Sequence, residues 1–161
     1  MGGPRPPFSL ARFRLAVSRE IMYLDPMTFH FPYTIGFHDS DAAEMIFSAN
    51  LIRICHHAYE AFLESIGFSI GRLLRERPFG LPVVHIEGDF QKILRVGDKV
   101  EIRVRIAEIS RSSFRTKYEL VKDGEVHATA NLVHVCVDPK IYKSRELPEE
   151  FRSALIPYCE S

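Results

Sequence analysis

The sequence has no excess of charge of either sign and no long hydrophobic run. Its 161 residues contain 21 Lys and Arg against 21 Asp and Glu, so the formal net charge at pH 7 is zero. A balanced chain has no global field that would attract nucleic acid or an acidic polymer. No apolar stretch approaches the roughly 20 residues that a membrane helix requires. These absences argue against nucleic acid and membrane as partners and favour a globular, soluble protein.

Cysteine is scarce as well. Cys55, Cys136 and Cys159 are odd in number and far apart in the chain, which fits neither a zinc-type pair nor a disulfide framework. Reduced thiols are typical of the cytoplasm, and we expect the protein there. Cys55 falls in the apolar stripe of a predicted helix, which favours a buried, inert thiol over a nucleophile.

Motifs for several common chemistries are missing. The chain has no serine nucleophile elbow, no glycine-rich phosphate loop and no cysteine pair of the zinc type. His56 and His57 are adjacent on a predicted helix and therefore point in different directions, whereas a metal pair on a helix needs a spacing of three or four. We expect neither a metal nor a cofactor.

The chain is long enough for one domain with a substantial core and too short for two. Its first 27 residues stand apart, because Arg5, Arg12 and Arg14 occur there with clustered prolines and no acidic residue before Ser18. This composition predicts a flexible N-terminal extension. It resembles a transit peptide only loosely, and that alternative stays open. Residues 28–161 form the predicted domain.

Hydrophobic periodicity becomes regular from residue 28. Aromatic and β-branched residues over 29–37 predict a first strand, and helical periods over 48–66 and 70–76 predict a long and a short helix. Four more segments predict strands, at residues 81–90, 99–106, 114–120 and 126–137. Asp123-Gly124 is typical of a tight hairpin turn between the last two, and a short helix is expected near the C-terminus.

This order of elements predicts an α+β domain. An antiparallel meander is the simplest way to join the last four strands, and the long helix would cover one face of the sheet. The last strand is apolar on both faces near its end, which indicates a central or interfacial position.

The segment from Phe37 to Asn50, between the first strand and the long helix, carries the most chemical information. It holds Asp39 and Asp41, followed by small residues and the start of the helix. Such carboxylates often form turns or cap helices. A carboxylate beside free helical N–H groups can instead attack a thioester carbonyl or activate water, while those groups receive the developing oxyanion. The residues alone leave both interpretations open.

This segment resembles the signature of the 4-hydroxybenzoyl-CoA thioesterase family. That signature consists of aspartate, any residue, aspartate, two small residues, glycine, two apolar residues and an aromatic residue. Residues 39–43 (DSDAA) and 45–47 (MIF) match it, and the likeness extends over residues 28–150. The resemblance implies a hot-dog fold, in which an antiparallel sheet is wrapped around one long central helix.

The resemblance also implies roles for individual residues. Asp41 would be the catalytic carboxylate, and the backbone N–H of Ser48 would bind the oxyanion. Phe47 and Asn50 would contact the substrate. Glu44 departs from the pattern, because it replaces the glycine of the family. Glycine there implies a backbone conformation that is costly for other residues, so either the turn differs or Glu44 is strained, and we expect its side chain to face solvent.

Weaker similarities point to one branch of the family. Segments 55–60, 81–85 and 134–136 resemble the 1,4-dihydroxy-2-naphthoyl-CoA thioesterases of naphthoquinone biosynthesis, which implies a bulky aromatic acyl group. His85 would then line the substrate site or lie at a seam between subunits. The turn at 110–113 corresponds to a basic turn that contacts the nucleotide, so Arg111 and Ser112 would bind coenzyme A. An ordinary solvated turn is the alternative.

The function implied is hydrolysis of an aromatic acyl-CoA, of the 1,4-dihydroxy-2-naphthoyl or 4-hydroxybenzoyl type, to the free acid and coenzyme A. Coenzyme A enters only as part of the substrate. One alternative is a thioesterase for aliphatic acyl-CoA or acyl-carrier-protein substrates, and another is a hot-dog protein that binds acyl groups without turnover. Glu60 on the helix is the alternative catalytic carboxylate if Asp41 is structural. An exposed sheet edge predicts a homodimer or homotetramer.

Overall fold

The computed structural model describes residues 25–160, so the predicted N-terminal extension, apart from its last three residues, lies outside the described part. The predicted helices and strands are all present. In chain order they are β1 (Phe29–Thr34), a 3-10 turn (Phe37–Asp39), α1 (Ser48–Ser65), α2 (Ile70–Glu76), β2 (Val83–Phe90), β3 (Lys99–Ile109), β4 (Ser113–Lys122), β5 (Glu125–Val135), α3 (Glu149–Leu155) and a final 3-10 turn (Ile156–Tyr158). Within residues 25–160, no helix has the combined length and apolarity needed to cross a membrane.

The helix α1 packs against one face of the five-stranded sheet and supplies much of the core. Seven of its residues are buried, on a face wider than the predicted stripe: Leu51, Ile54, Cys55, Ala58, Tyr59, Phe62 and Leu63. The helix comes so close to β2 that a Cβ on Gly88 would lie 3.0 Å from the Leu51 side chain. An antiparallel sheet wrapped around one long helix is the hot-dog arrangement, and that prediction is confirmed.

The first strand ends earlier than predicted. Phe37 was expected in the strand, but it lies in the 3-10 turn and is 84% exposed. The Gly36 N–H donates a hydrogen bond of 2.7 Å to the Asp39 carboxylate, and this local bond bends the chain out of the sheet after Thr34. Alternating apolar residues could not reveal this, because the competing interaction comes from a side chain.

The strand order is β1-β3-β4-β5-β2, so the predicted meander holds only for β3 to β5. β2 pairs with β5, with Phe90 opposite Ala128, while β3 pairs with β1 on one side and with β4 on the other. Since both edges of β3 are occupied, β2 lies at the far edge of the sheet. β5 is therefore an interior strand, as predicted.

This order gives residues 91–98, here called the crossing segment, a long path. They carry the chain past three strand spacings of about 4.8 Å each. Leu94 is fully buried on the way, and its carbonyl accepts a 3.0 Å hydrogen bond from the Ile46 N–H. The crossing segment therefore packs against the turn that carries Asp41.

The Asp123-Gly124 hairpin is confirmed. Asp123 has φ 52° and Gly124 has φ 80°, so both residues are left-handed, as a tight hairpin of the mirror-image type requires.

A buried histidine of the core is packed between two aromatic rings. His134 of β5 is fully buried, and its ring stacks between Tyr59 at 4.4 Å and Phe114 at 4.9 Å. Its Nδ1 lies 3.4 Å from the Leu81 carbonyl oxygen and its Nε2 lies 3.4 Å from the Thr116 hydroxyl. Burial lowers the pKa of His134 to about 4, so the ring is neutral at pH 7.

This pKa predicts that the protein loses stability in mild acid. The folded-state pKa of His134 lies below the unfolded value of 6.5, so the unfolded chain binds more protons between those two values and stability falls as pH drops below 6.5. Between pH 7 and pH 5 we expect a loss of about 2 kcal/mol in the free energy of unfolding. Urea unfolding at both pH values measures it. His134→Gln should remove most of the pH dependence, and an unchanged slope in that variant would contradict the prediction.

Candidate active site

Asp41 lies at the tip of a tight hairpin that connects β1 to α1. Its N–H donates to the Met45 carbonyl at 2.9 Å, the Glu44 N–H donates back to the Asp41 carbonyl at 3.0 Å, and Ser40 bridges to Ile46. The exposed carboxylate accepts one 2.8 Å hydrogen bond, from the Ala43 N–H to Oδ1. Within residues 25–160 the other oxygen, Oδ2, makes no hydrogen bond or ion pair, so it is available for chemistry.

Asp39, two residues earlier, has a different environment. It is fully buried, accepts hydrogen bonds from the Gly36 N–H at 2.7 Å and the Tyr33 hydroxyl at 3.0 Å, and pairs with the Arg53 guanidinium. Burial, followed by the bond to Asp39, raises the pKa of Tyr33. The two interpretations of the aspartate pair thus separate: Asp39 holds the turn together, and Asp41 stays accessible.

Arg53 makes a contact that periodicity does not reveal. Helical periodicity predicts it on the face of α1 opposite the apolar stripe, and there it is half-buried and reaches back to Asp39. The spacing within α1 carries no information about a carboxylate before the helix.

The helix α1 begins at Ser48 with its first N–H groups uncapped. The preceding residue is Phe47, whose side chain makes no cap hydrogen bond, and the first turn contains no acidic residue. Free N–H groups at the start of an 18-residue helix carry a partial positive charge. This is the electrostatic environment that stabilises an oxyanion.

Asp41 and Ser48, the first residue of α1, line one cavity. It has a volume of about 450 Å³ and is lined by Asp41, Ser48 and Phe47, with further residues Met45, Ile46, Phe90, Gln91, Lys92, Ile93 and Leu94. The volume falls within the usual range for a small-molecule site. We call it the apolar cavity, because most of its walls are hydrophobic. It can hold a flat apolar group next to a reacting carbonyl.

Four predicted substrate-binding residues lie outside this cavity. The Asn50 side chain donates to the His38 carbonyl at 3.2 Å and braces the turn. His85 lies on the exposed edge strand β2, 3.5 Å from Glu87. Arg111 is 82% exposed and pairs with Glu146, and the carbonyl of the neighbouring Ser112 accepts from the Cys136 N–H at 2.8 Å. Their roles in binding stay predictions.

The sequence interpretation missed the opposite wall of the apolar cavity. Phe90, Gln91, Lys92, Ile93 and Leu94 supply it, and all of them lie at the end of β2 or in the crossing segment. The sequence did contain a signal: Phe90 and Ile93 are large apolar residues that flank the polar pair Gln91 and Lys92 where the predicted strand ends. Their place beside Asp41 depends on the strand order, which local periodicity does not reveal.

A second cavity of about 260 Å³ lies on the other side of Asp41. Its walls are Phe37, Ser40, Asp41, Glu44, Arg95 and Val96, and we call it the charged cavity. Glu44 has φ 60°, so the turn retains the left-handed conformation that the family's glycine implies, and Glu44 is strained in it. Its side chain is exposed, as expected.

Other candidate groups are poorly placed for catalysis. Burial raises the pKa of the Cys55 thiol to about 12, so it is an inert core residue, as predicted. Glu60 is twelve residues after Ser48 on α1, which is about 18 Å along the helix axis. In the described part of the chain, no group of three or more His, Cys, Asp or Glu residues is arranged to hold a metal.

Comparison with known proteins gives consistent matches over most of the chain. The model of the thioesterase-like superfamily matches residues 35–155. A 1,4-dihydroxy-2-naphthoyl-CoA hydrolase of Synechococcus elongatus is 34% identical over 128 residues, which cover 79% of this chain and 94% of the relative. The protein of the same name from Nostoc punctiforme is 35% identical over 124 residues, covering 77% of this chain and 84% of the relative.

Solved structures agree with these sequence matches. A 1,4-dihydroxy-2-naphthoyl-CoA thioesterase from Synechocystis superimposes with a TM-score of 0.75 at 27% identity, covering 80% of this chain and 96% of the other. A gentisyl-coenzyme A thioesterase superimposes with a TM-score of 0.71 at 26% identity, covering 80% and 99%.

Proposed function

We propose that this chain, which belongs to the thioesterase-like superfamily, hydrolyses a hydroxylated aromatic acyl-CoA of the 1,4-dihydroxy-2-naphthoyl type. Its relatives are CoA thioester hydrolases, and this chain is one as well. The observation that carries the proposal is that Asp41 and the N-terminal residue of α1, Ser48, line the same cavity.

The mechanism follows from that placement. The thioester carbonyl oxygen points toward the Ser48 N–H, where the helix terminus stabilises the charge of the tetrahedral intermediate. Asp41 uses Oδ2, because Oδ1 is held by the Ala43 N–H.

Two routes are open to that oxygen. Acting as nucleophile, it forms a mixed anhydride and expels the coenzyme A thiolate, and water then cleaves the anhydride to the acid. Acting as general base, it removes a proton from a water molecule that attacks the carbonyl directly. Both routes consume one water and need no cofactor, because coenzyme A arrives within the substrate.

The walls of the apolar cavity fit an aromatic acyl group. Phe47, Phe90 and Ile93 line it and are 47%, 45% and 54% exposed in the single chain, so a flat ring bound among them would cover apolar surface that otherwise faces water. The relatives' names describe related acyl groups: dihydroxynaphthoyl and gentisyl (2,5-dihydroxybenzoyl) both carry two hydroxyls on an aromatic ring. The nucleotide end of coenzyme A would reach the turn with Arg111 and Ser112.

A substrate panel tests the acyl group. The initial rates of thiol release are measured for 1-hydroxy-2-naphthoyl-, 4-hydroxybenzoyl-, hexanoyl- and palmitoyl-CoA. We expect kcat/KM for the naphthoyl substrate to exceed that for either fatty acyl-CoA at least tenfold, since a rigid flat ring can pack against Phe47 and Phe90 without the loss of rotamer freedom that a flexible chain suffers on binding. A preference for fatty acyl groups would establish the aliphatic alternative, and binding without turnover of any of the four would establish the acyl-binding protein.

We also propose that the protein is a homodimer joined along β2. This strand is at the edge of the sheet, and it exposes Val84 at 61% and Ile86 at 50%. A free strand edge that also carries apolar residues favours pairing with another copy. His85 would then lie at the seam between the subunits, the second of its two predicted positions.

The expected outcome for Ile86→Lys is a monomer, because a charge on the pairing strand opposes association. Light scattering coupled to size-exclusion chromatography measures the mass. Ile141→Lys is the matched control, since Ile141 is 63% exposed but lies in the loop between β5 and α3 and not on the edge strand. A monomeric wild type, or a dimer in both variants, would contradict the proposed seam.

A cytoplasmic location is the last part of the proposal. Cys55, Cys136 and Cys159 are free thiols, as expected in a reducing compartment. Cell fractionation with thiol labelling tests it.

A further inference from the structure

Asp41 lines two cavities that differ in the charged side chains of their walls. On one side lies the apolar cavity, and on the other lies the charged cavity with Glu44 and Arg95 in its wall. A substrate whose carbonyl meets Asp41 therefore has a further carboxylate and a guanidinium beside it, on the side of the charged cavity. The proposed function uses the apolar cavity and leaves the charged cavity without a role.

Apart from Asp41 and Ser48, the polar side chains of the apolar cavity already have partners. The Gln91 amide donates to the Thr129 hydroxyl at 3.2 Å, and the Lys92 ammonium pairs with Glu125 at 2.6 Å. Glu44 and Arg95 differ, because among the described residues neither side chain has a hydrogen-bond or ion-pair partner. The charged cavity thus offers a free acceptor and a free donor beside the reacting position.

The backbone of Glu44 has a conformation that residues with a Cβ atom disfavour. A left-handed φ of 60° disfavours any side chain with a Cβ and suits glycine. Arg77, Asp123 and Tyr142 share this conformation, so strain alone does not mark a functional residue. Of these four, only Glu44 lines a cavity together with Asp41, and backbone strain at such a site is a reason to look for function.

We propose that Glu44 and Arg95 form a subsite that recognises a hydroxyl group on the acyl ring, at the carbon next to the one bearing the thioester. The inference rests on the proposed function. A phenolic hydroxyl both donates and accepts a hydrogen bond, whereas a carboxylate only accepts and a guanidinium only donates. The Glu44–Arg95 pair therefore satisfies both needs of a single hydroxyl.

Substrate chemistry places that hydroxyl beside Asp41. In a 1-hydroxy-2-naphthoyl group the hydroxyl is on the ring carbon adjacent to the one that bears the acyl group, and a gentisyl group has the same arrangement. Once Asp41 and Ser48 position the carbonyl, this hydroxyl cannot reach the far end of the apolar cavity. It lies close to the turn, where Glu44 is three residues from Asp41 and Met45 bridges to Arg95.

A matched pair of substrates tests the subsite. The value of kcat/KM is measured for 1-hydroxy-2-naphthoyl-CoA and for 2-naphthoyl-CoA, which lacks only the hydroxyl, in the full-length wild type, Glu44→Gln and Arg95→Gln. We expect each variant to lower the ratio of the two values by about tenfold, since a site that hydrogen-bonds a hydroxyl loses discrimination when one partner is removed. The rate with 2-naphthoyl-CoA should stay within about twofold of wild type, because the hydroxyl contributes nothing there.

The left-handed backbone allows a second test. Glu44→Gly should raise Tm by a few degrees and should lower the substrate ratio as much as Glu44→Gln does. Arg77→Gly is the control: it relieves a similar left-handed conformation at the end of α2, outside the walls of both cavities, and should leave the ratio unchanged.

The outcomes separate this inference from the proposed function. An unchanged ratio in both Glu44→Gln and Arg95→Gln, or an equal loss on both substrates, would overturn the subsite while leaving hydrolysis of aromatic acyl-CoA intact. Failure of the wild type to cleave either substrate would overturn the proposed function and the subsite with it.

Discussion

Replacing Asp41 with asparagine is expected to lower kcat by about a thousandfold or more, because asparagine can neither attack the thioester nor accept a proton from water at neutral pH. The amide oxygen can still accept the hydrogen bond from the Ala43 N–H, so the hairpin keeps its shape. Asp41 is exposed, which is why its charge contributes little to folding. Thiol release under saturating 1-hydroxy-2-naphthoyl-CoA measures the loss, and thermal unfolding checks that Tm is unchanged.

The matched control for this experiment is Glu60→Gln, which removes a carboxylate from the exposed face of α1. We expect wild-type kcat, since Glu60 lies about 18 Å along the helix from Ser48. The opposite result, with an active Asp41→Asn and an inactive Glu60→Gln, would move catalysis to the helix and make Asp41 a turn residue.

The same substitution at Asp39, two residues earlier, should affect folding stability rather than kcat. Asp39→Asn is expected to lower the free energy of unfolding by about 3 kcal/mol, because it removes the charge that pairs with Arg53 inside the protein. Asp39 is fully buried while Arg53 is half-exposed, so water partly compensates Arg53 and the loss falls at the lower end for a broken buried pair. Urea unfolding at pH 7 gives the value.

Glu76→Gln provides the comparison for this stability effect. It breaks the 3.0 Å Arg72–Glu76 pair, which is more than half exposed on both sides, and it should cost less than about 0.5 kcal/mol. If Asp39→Asn were as stable as wild type, the buried pair would not be what holds the turn.

These two aspartates show where sequence interpretation reaches its limit. In the chain they are separated by one serine, and either could cap or catalyse. The difference arises from Tyr33 on β1 and Arg53 on α1, which come together around Asp39 only after the helix has packed against the sheet. The resemblance to a known signature selected Asp41, and the fold supplies the physical reason.

Glu44 could be anticipated in part. The absence of the family's glycine predicted either an altered turn or a strained residue, and φ 60° shows that the strained residue is the outcome. The neighbouring cation was not predictable, because Arg95 is 51 positions further along the chain and reaches the turn through the crossing segment.

The sequence by itself determined the local elements and the class of fold. Its hydrophobic periods placed α1, α2 and the strands to within a few residues, and Asp123-Gly124 specified its hairpin, because these choices depend on neighbours a few positions apart. Only the tertiary structure decided that β2 lies at the far edge, that Phe90 and Ile93 form a wall opposite Phe47, and that Arg53 is bound to Asp39. Those outcomes depend on which strand edges are already occupied and which side chains meet across the core, and contacts between distant positions leave no periodic trace in the chain.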